Sequence, residues 1–164
     1  MKLKSITEKT NHFMKIAISE ALKAKRRDEV PVGSVIIDKQ NNIVSKNGNR
    51  IIELSDPTAH AEILCIREAS EKIKNERLLD FSIFTTLEPC SMCASAISFA
   101  RIKTVYFGAF DPKGGAIENG IKLYHSKSCN YKPDFYGGFK EKESSEILKS
   151  YFKTSICYNI LYFF

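Results

Sequence analysis

Two short clusters carry the residue types that bind metals and move protons: His60-Ala61-Glu62 and Pro89-Cys90-Ser91-Met92-Cys93. Together they offer one imidazole, two thiols and one carboxylate, a set that suits Zn²⁺ held by His60, Cys90 and Cys93. Three protein ligands leave the fourth tetrahedral position to water, whose pKa zinc lowers to near 7, so that hydroxide is available at neutral pH. Glu62 stands two residues from His60, about 200° around the axis if both are helical, so it need not ligate and can aim at that water. A carboxylate that takes the water's proton and returns it to a ring nitrogen and a leaving ammonia is what a hydrolytic deamination needs.

Either cluster alone has a plainer reading. A Cys-x-x-Cys pair by itself reads as a zinc knuckle or a redox dithiol, and a lone His-x-Glu as a solvated helix face. The combination points to catalysis, and it matches the signature of zinc nucleobase deaminases. The other cysteines carry no such pattern. Cys65 lies five positions beyond His60, about 140° away on the same helix, and is read as core packing. Cys129 and Cys157 have no partner at ligand spacing and are read as free thiols. His12 and His125 carry no metal pattern either.

The elements that must position these residues follow from periodicity. Phe13, Ile16, Ala17, Ala21 and Ala24 keep helical spacing over 11–26, with Thr7 or Thr10 as cap. Val32–Ile37 and Ile43–Lys46 are β-branched runs around a polar turn, hence a hairpin. Asp56-Pro57 reads as an N-cap with proline at the first helical position, placing 58–74 on a helix with His60 and Glu62 in its first turn. Strands at 82–87 and 104–108 flank a helix at 91–100 that Cys90 and Cys93 open, a β-α-β unit. A strand at 131–136 and a helix at 139–153 follow. The expected architecture is a three-layer α/β/α sandwich around a mixed five-stranded sheet.

Length and composition agree. The chain has 164 residues, 43% hydrophobic and 27% charged, which excludes disorder and coiled coil and predicts one domain over 1–155. The excess of Lys+Arg 25 over Asp+Glu 19 gives +6, a lean toward polyanions such as nucleic acid. Five cysteines, an odd number, do not suggest a disulfide framework. The polar N-terminus does not read as a signal peptide, so a cytoplasmic location is expected. The apolar run from Ile156 to Phe164 falls far short of the roughly 20 residues a spanning helix needs, so no membrane partner is expected.

With these residues in view, the chain resembles the bacterial tRNA-specific adenosine deaminases, within the zinc-dependent cytidine/deoxycytidylate deaminase superfamily. The resemblance runs from about Phe13 to Lys153. It rests on Glu29-Val30-Pro31-Val32-Gly33, Gly48-Asn49-Arg50, Asp56-Pro57-Thr58-Ala59-His60-Ala61-Glu62, Leu87-Glu88-Pro89-Cys90-Ser91-Met92-Cys93 and Phe107-Gly108-Ala109-Phe110-Asp111-Pro112-Lys113. The last block is poorly matched in free-base deaminases and carries most of the substrate expectation. The resemblance implies a cytidine-deaminase-like fold and conversion of the wobble adenosine of a tRNA anticodon to inosine by attack of zinc-bound hydroxide on C6. It further implies one Zn²⁺ per subunit on His60, Cys90 and Cys93, Glu62 as proton shuttle, no organic cofactor, and a homodimer on the anticodon stem-loop. Asn49 would meet the flipped base, Val32 would wall the ring, Asp111 and Lys113 would line the loop for neighbouring nucleotides, and Phe152 would stack near the stem-loop.

Two rivals share these residues. One is a small-molecule nucleobase or nucleotide deaminase of guanine, cytosine or dCMP type with the same zinc site. The other is a catalytically silent zinc protein that binds RNA or a partner deaminase, which has no need of Glu62. Three departures from the family stand out. The chain lacks tryptophan, reads Lys113-Gly114-Gly115 where relatives often have Lys-Thr-Gly, which predicts a looser loop, and ends in an apolar run where relatives tend to end in a basic tail.

Overall fold

The computed structural model describes residues 2–154, and side chains from 7 to 153. The apolar run from Ile156, Cys157 within it, and the expected domain boundary at 155 lie outside the described residues. The first helix, α1 (Lys2–Lys25), starts earlier than the apolar spacing implies, so Thr7 and Thr10 lie inside it and neither is its N-cap; Thr10 is buried one turn ahead of Phe13 and Met14. Strands β1 (Gly33–Ile37) and β2 (Ile43–Gly48) form the expected hairpin. They are followed by α2 (Ala61–Ile73), β3 (Ser82–Leu87), α3 (Ser91–Phe99) and β4 (Thr104–Ala109). A short 3₁₀ turn at Leu123–His125, β5 (Asp134–Tyr136) and α4 (Glu141–Thr154) complete the described chain.

The sheet order is β2-β1-β3-β4-β5. The β1 strand runs antiparallel to both β2 and β3, whereas β3, β4 and β5 run parallel, so the sheet is mixed. Burial on both faces explains why β1 reads Gly-Ser-Val-Ile-Ile with no polar alternation: every residue in it is buried. Side chains alternate between two cores. Val35, Ile37 and Phe84 pack with Phe13, Met14 and Ala17 of α1 on one face, the face that α4 also covers. On the other face Ile36, Ile83, Val105 and Phe107 pack with Cys65 and Ala69 of α2 and Ala94 and Ile97 of α3. The expected three-layer sandwich is what the chain forms.

Close approach of α1 to the sheet depends on Gly33, where any Cβ would collide with the backbone of Ala17 and Ala21. Among the described residues no helix is long and apolar enough to cross a membrane.

Candidate active site

The α2 helix begins three residues later than Asp56-Pro57 suggests. Asp56 does not cap it: Asp56 Oδ1 accepts hydrogen bonds from the Thr58 N–H at 2.8 Å and the Thr58 hydroxyl at 2.7 Å, forming a turn. The Asp-Pro pattern is common to N-caps and to such turns, and here it builds the turn that delivers His60. His60 is then the N-cap of α2, in extended conformation, and its side chain caps nothing. Cys90 is likewise the N-cap of α3, again without a side-chain cap bond. Ser, Thr, Asp or Asn usually fill such positions, so both helices forgo a cap to present a donor atom beyond their N-terminal ends. The positive ends of both helices therefore face the same point, which favours anionic ligands.

The donor atoms meet there. His60 Nδ1 lies 3.5 Å from Cys93 Sγ and 3.8 Å from Cys90 Sγ, and one donor atom from each residue falls within 4.8 Å of the others. No other set of three metal-binding side chains converges in this way among the described residues. The Cys90 thiol is drawn down to about 4, first by the hydrogen bond from the Cys93 thiol and then by His60. Cys93 is held up because it donates that bond and is fully buried. His60 is pushed up chiefly by its contact with Cys90. Cys90 is thus the more acidic of the two thiols, and a cation held by all three donors would take the place of the proton they share.

Glu62 lies behind these groups on the first turn of α2, only 3% exposed. Burial pushes its carboxyl up, against the opposing pull of its own backbone N–H and of His60. Its Oε2 has no hydrogen-bond partner among the described residues, a costly state unless something polar occupies the space it faces. An imidazole, two thiols of which Cys90 is drawn strongly down, and an unpartnered buried carboxyl oxygen beside them fit a tetrahedral zinc with one open position. Two thiolates would also balance the charge of Zn²⁺.

Asn49 follows the end of β2 and is buried; its Oδ1 accepts the Ala61 N–H at 2.9 Å. It ties β2 to the first residue of α2, between His60 and Glu62. Val32 is buried, and its carbonyl accepts the Asn49 N–H at 3.0 Å. Asp111, Lys113 and Phe152 meet elsewhere, around a cavity of about 560 Å³ that Val30, Leu87 and Leu148 also line. The Asp111 carboxylate itself bonds its own loop, accepting the N–H groups of Lys113 at 3.1 Å and Gly114 at 2.9 Å.

The loop is not loose, contrary to what Gly114-Gly115 suggests. Besides the Asp111 turn, it is held by Glu88, whose buried carboxylate accepts five hydrogen bonds from residues 111–119. In the sequence Glu88 is one residue of the Leu87-Glu88-Pro89-Cys90 motif, and a charge between a strand and a Pro-Cys turn is the one local sign of its role. Cys65 is buried as expected, with its thiol donating to the Ser34 carbonyl at 3.3 Å. The Cys129 thiol is free, donating to the Tyr131 carbonyl at 3.0 Å.

Comparison with known proteins decides the lineage. Residues 7–109 match the family model for the cytidine and deoxycytidylate deaminase zinc-binding region. The chain is 50% identical over 142 residues to a tRNA-specific adenosine deaminase of Agrobacterium fabrum, covering 87% of this chain and 93% of the relative. The chain belongs to the tRNA-specific adenosine deaminase family. A second deaminase of that name, from Rickettsia bellii, is 41% identical over 85% of this chain and 97% of its own. A solved structure from work on A-to-I editing by tRNA:A34 deaminases at the wobble position of transfer RNA superposes with a TM-score of 0.82. It is 51% identical and is matched over 84% of this chain and 99% of its own. The deaminase fold, the mixed five-stranded sheet and the enzyme class expected from the sequence all stand.

Proposed function

We propose that this chain deaminates the wobble adenosine of a tRNA anticodon to inosine, with one zinc per subunit held by His60, Cys90 and Cys93. The observation that carries the chemistry is the unpartnered, buried Oε2 of Glu62 beside the convergent His60, Cys90 and Cys93 donors. What supports the substrate is the identity to proteins named for that activity.

When bound, zinc supplies the Lewis acidity that makes water a nucleophile at neutral pH. Glu62 is the base that receives the proton as water adds to C6 of adenine, and it delivers that proton to N1. It then moves the second proton from the new C6 hydroxyl to the amino group, which leaves as ammonia while C6 becomes a carbonyl. Burial suits Glu62 to the first transfer, because a carboxylate whose ionised form is desolvated is a stronger base toward water than an exposed one. Asn49 fixes the first residue of α2 through Oδ1, which leaves its Nδ2 to meet the edge of a flipped base, and Val32 walls the ring. Lys113 and Lys149 at the 560 Å³ cavity offer charge to phosphates, while Phe152 and Phe110 offer faces for unstacked bases.

The same reading includes a homodimer. Phe99 closes α3 at 79% exposed, and with Ile63, Ile66 and Ala100 it borders a surface recess of about 480 Å³ between α2 and α3. An apolar face of this kind marks an interaction surface, and a second copy would cover it. The functional reading is tested on an anticodon stem-loop carrying adenosine at the wobble position and elsewhere in the loop. Inosine confined to the wobble position supports it, and inosine at other adenosines or at none overturns it.

A further inference from the structure

Glu88 follows the last residue of β3 and leads into the cysteine turn, and the chemistry above makes no use of it. It is 1% exposed, and its carboxylate accepts five hydrogen bonds, all from the loop between Asp111 and Asn119. Oε1 takes the N–H groups of Ile117 at 3.2 Å, Glu118 at 2.8 Å and Asn119 at 2.9 Å. Oε2 takes the Asp111 N–H at 3.1 Å and Asn119 Nδ2 at 2.6 Å. Burial pushes this carboxyl up, but the donors, the Asn119 N–H foremost, outweigh it and hold it below its ordinary range.

The backbone joins the same parts. The Ala116 N–H reaches the Pro89 carbonyl at 3.0 Å, and Cys90 pairs with Gly115 in an isolated antiparallel bridge. A Cβ on Gly115 would stand 2.5 Å from Glu88 Cδ, so only glycine lets the loop backbone lie on the carboxylate. One side chain, two positions before a metal-site cysteine, therefore reaches both ends of the loop that supplies Asp111, Lys113 and Gly114 to the cavity.

We propose that Glu88 is a positioning residue for substrate binding, holding residues 111 and 117–119 against the Cys90 turn so that the cavity wall stays in register with the metal ligands. The functional part of this inference rests on the reading under Proposed function; the anchoring part does not.

Glu88→Gln isolates the effect. The amide keeps the size of the acid and retains Oε1 as acceptor for three N–H groups, but its NH₂ replaces Oε2. Asn119 can turn its Oδ1 to that NH₂, whereas the Asp111 N–H is left facing a donor. The loop should come loose at its Asp111 end. On zinc-loaded full-length protein, KM for the stem-loop is expected to rise about tenfold, with kcat within about twofold and zinc content unchanged. Amide exchange in 111–119 should speed about tenfold, with α1 and β1 unaffected.

An unchanged KM with unchanged exchange overturns the proposal. So does exchange or melting altered throughout the chain, failure to fold included, because Glu88 would then serve the fold at large. The exchange arm uses no substrate. If wild-type protein makes no inosine, the functional reading falls, and exchange at 111–119 still decides whether Glu88 anchors the loop.

Discussion

Replacing Glu62 with glutamine separates the chemistry of the site from its stability. The amide has nearly the same shape but cannot carry a proton between water, N1 and the leaving amine. A positioned general acid or base contributes typically 10²–10⁴-fold, and Glu62 is assigned both transfers, so a loss of about 10⁴-fold in the chemical step is expected, equivalent to ~5 kcal/mol. Stability should move the other way. The carboxyl is 3% exposed with an unpartnered Oε2, and an unsatisfied buried polar group costs about 1–3 kcal/mol, more for a charged one. In the zinc-free protein, where nothing else meets Oε2, removing the charge should therefore leave the melting temperature unchanged or raise it, by about 2–4 °C for each kcal/mol recovered in a chain of this size. The assay is single-turnover inosine formation on a stem-loop, with zinc content measured on the same samples and thermal melting measured after zinc is removed. Activity within tenfold of wild type with zinc retained, or a melting temperature several degrees lower in the zinc-free protein, would refute this account of Glu62.

Cys90→Ala should cost zinc as well as turnover, by more than the roughly 10–100-fold in affinity that losing a supporting partner costs; chelator competition measures it, and wild-type retention would remove Cys90 from the ligand set. Burial pushes the Cys65 thiol up to about 12 from an ordinary 9.0. The folded chain thus keeps a proton that the unfolded chain loses above pH 9, and stability should fall between pH 9 and 12 by up to ~1.4 kcal/mol per pH unit from this group. Urea titrations of wild type and Cys65→Ala should differ by that slope, and equal slopes would contradict it. Phe99→Glu places a charge on the exposed end of α3 and should shift a dimer to monomer in sedimentation, with the melting temperature losing its dependence on protein concentration; an unchanged mass would exclude this face as the interface. If Lys113 and Lys149 hold two phosphates, log affinity for the stem-loop should fall against log salt with a slope of about −1.4 or steeper, and a flat response would exclude them.

The architecture was legible because it is written in periodicity. Phe13, Ala17 and Ala21 space a helix, and the β-branched Val-Ile-Ile of β1 marks a strand buried on both faces. The metal cluster was legible because ligand spacing is a local property of two short segments. Other features depend on contacts between distant parts of the chain. Asp56-Pro57 is compatible with a cap or a turn, and the folded chain uses it as a turn, closed by Asp56 on Thr58, that makes His60 the N-cap. Asp111 is expected, by resemblance, to line the loop for neighbouring nucleotides, and its carboxylate is spent on the Lys113 and Gly114 N–H groups of that loop. Glu88 takes all its partners from residues 23 to 31 positions away, so no window of sequence around it shows a reason for a buried charge. Gly114-Gly115 suggests freedom, whereas Gly115 is where the backbone must lie on Glu88.

The most direct test of the account is the zinc-loaded protein offered an adenosine-bearing anticodon stem-loop in parallel with free adenosine, guanine and cytosine, with ammonia and deaminated product measured together. The account predicts inosine in the stem-loop with equimolar ammonia and negligible turnover of the small molecules. Efficient turnover of a free base or nucleoside, with the stem-loop untouched, would contradict the RNA substrate while leaving the zinc chemistry intact.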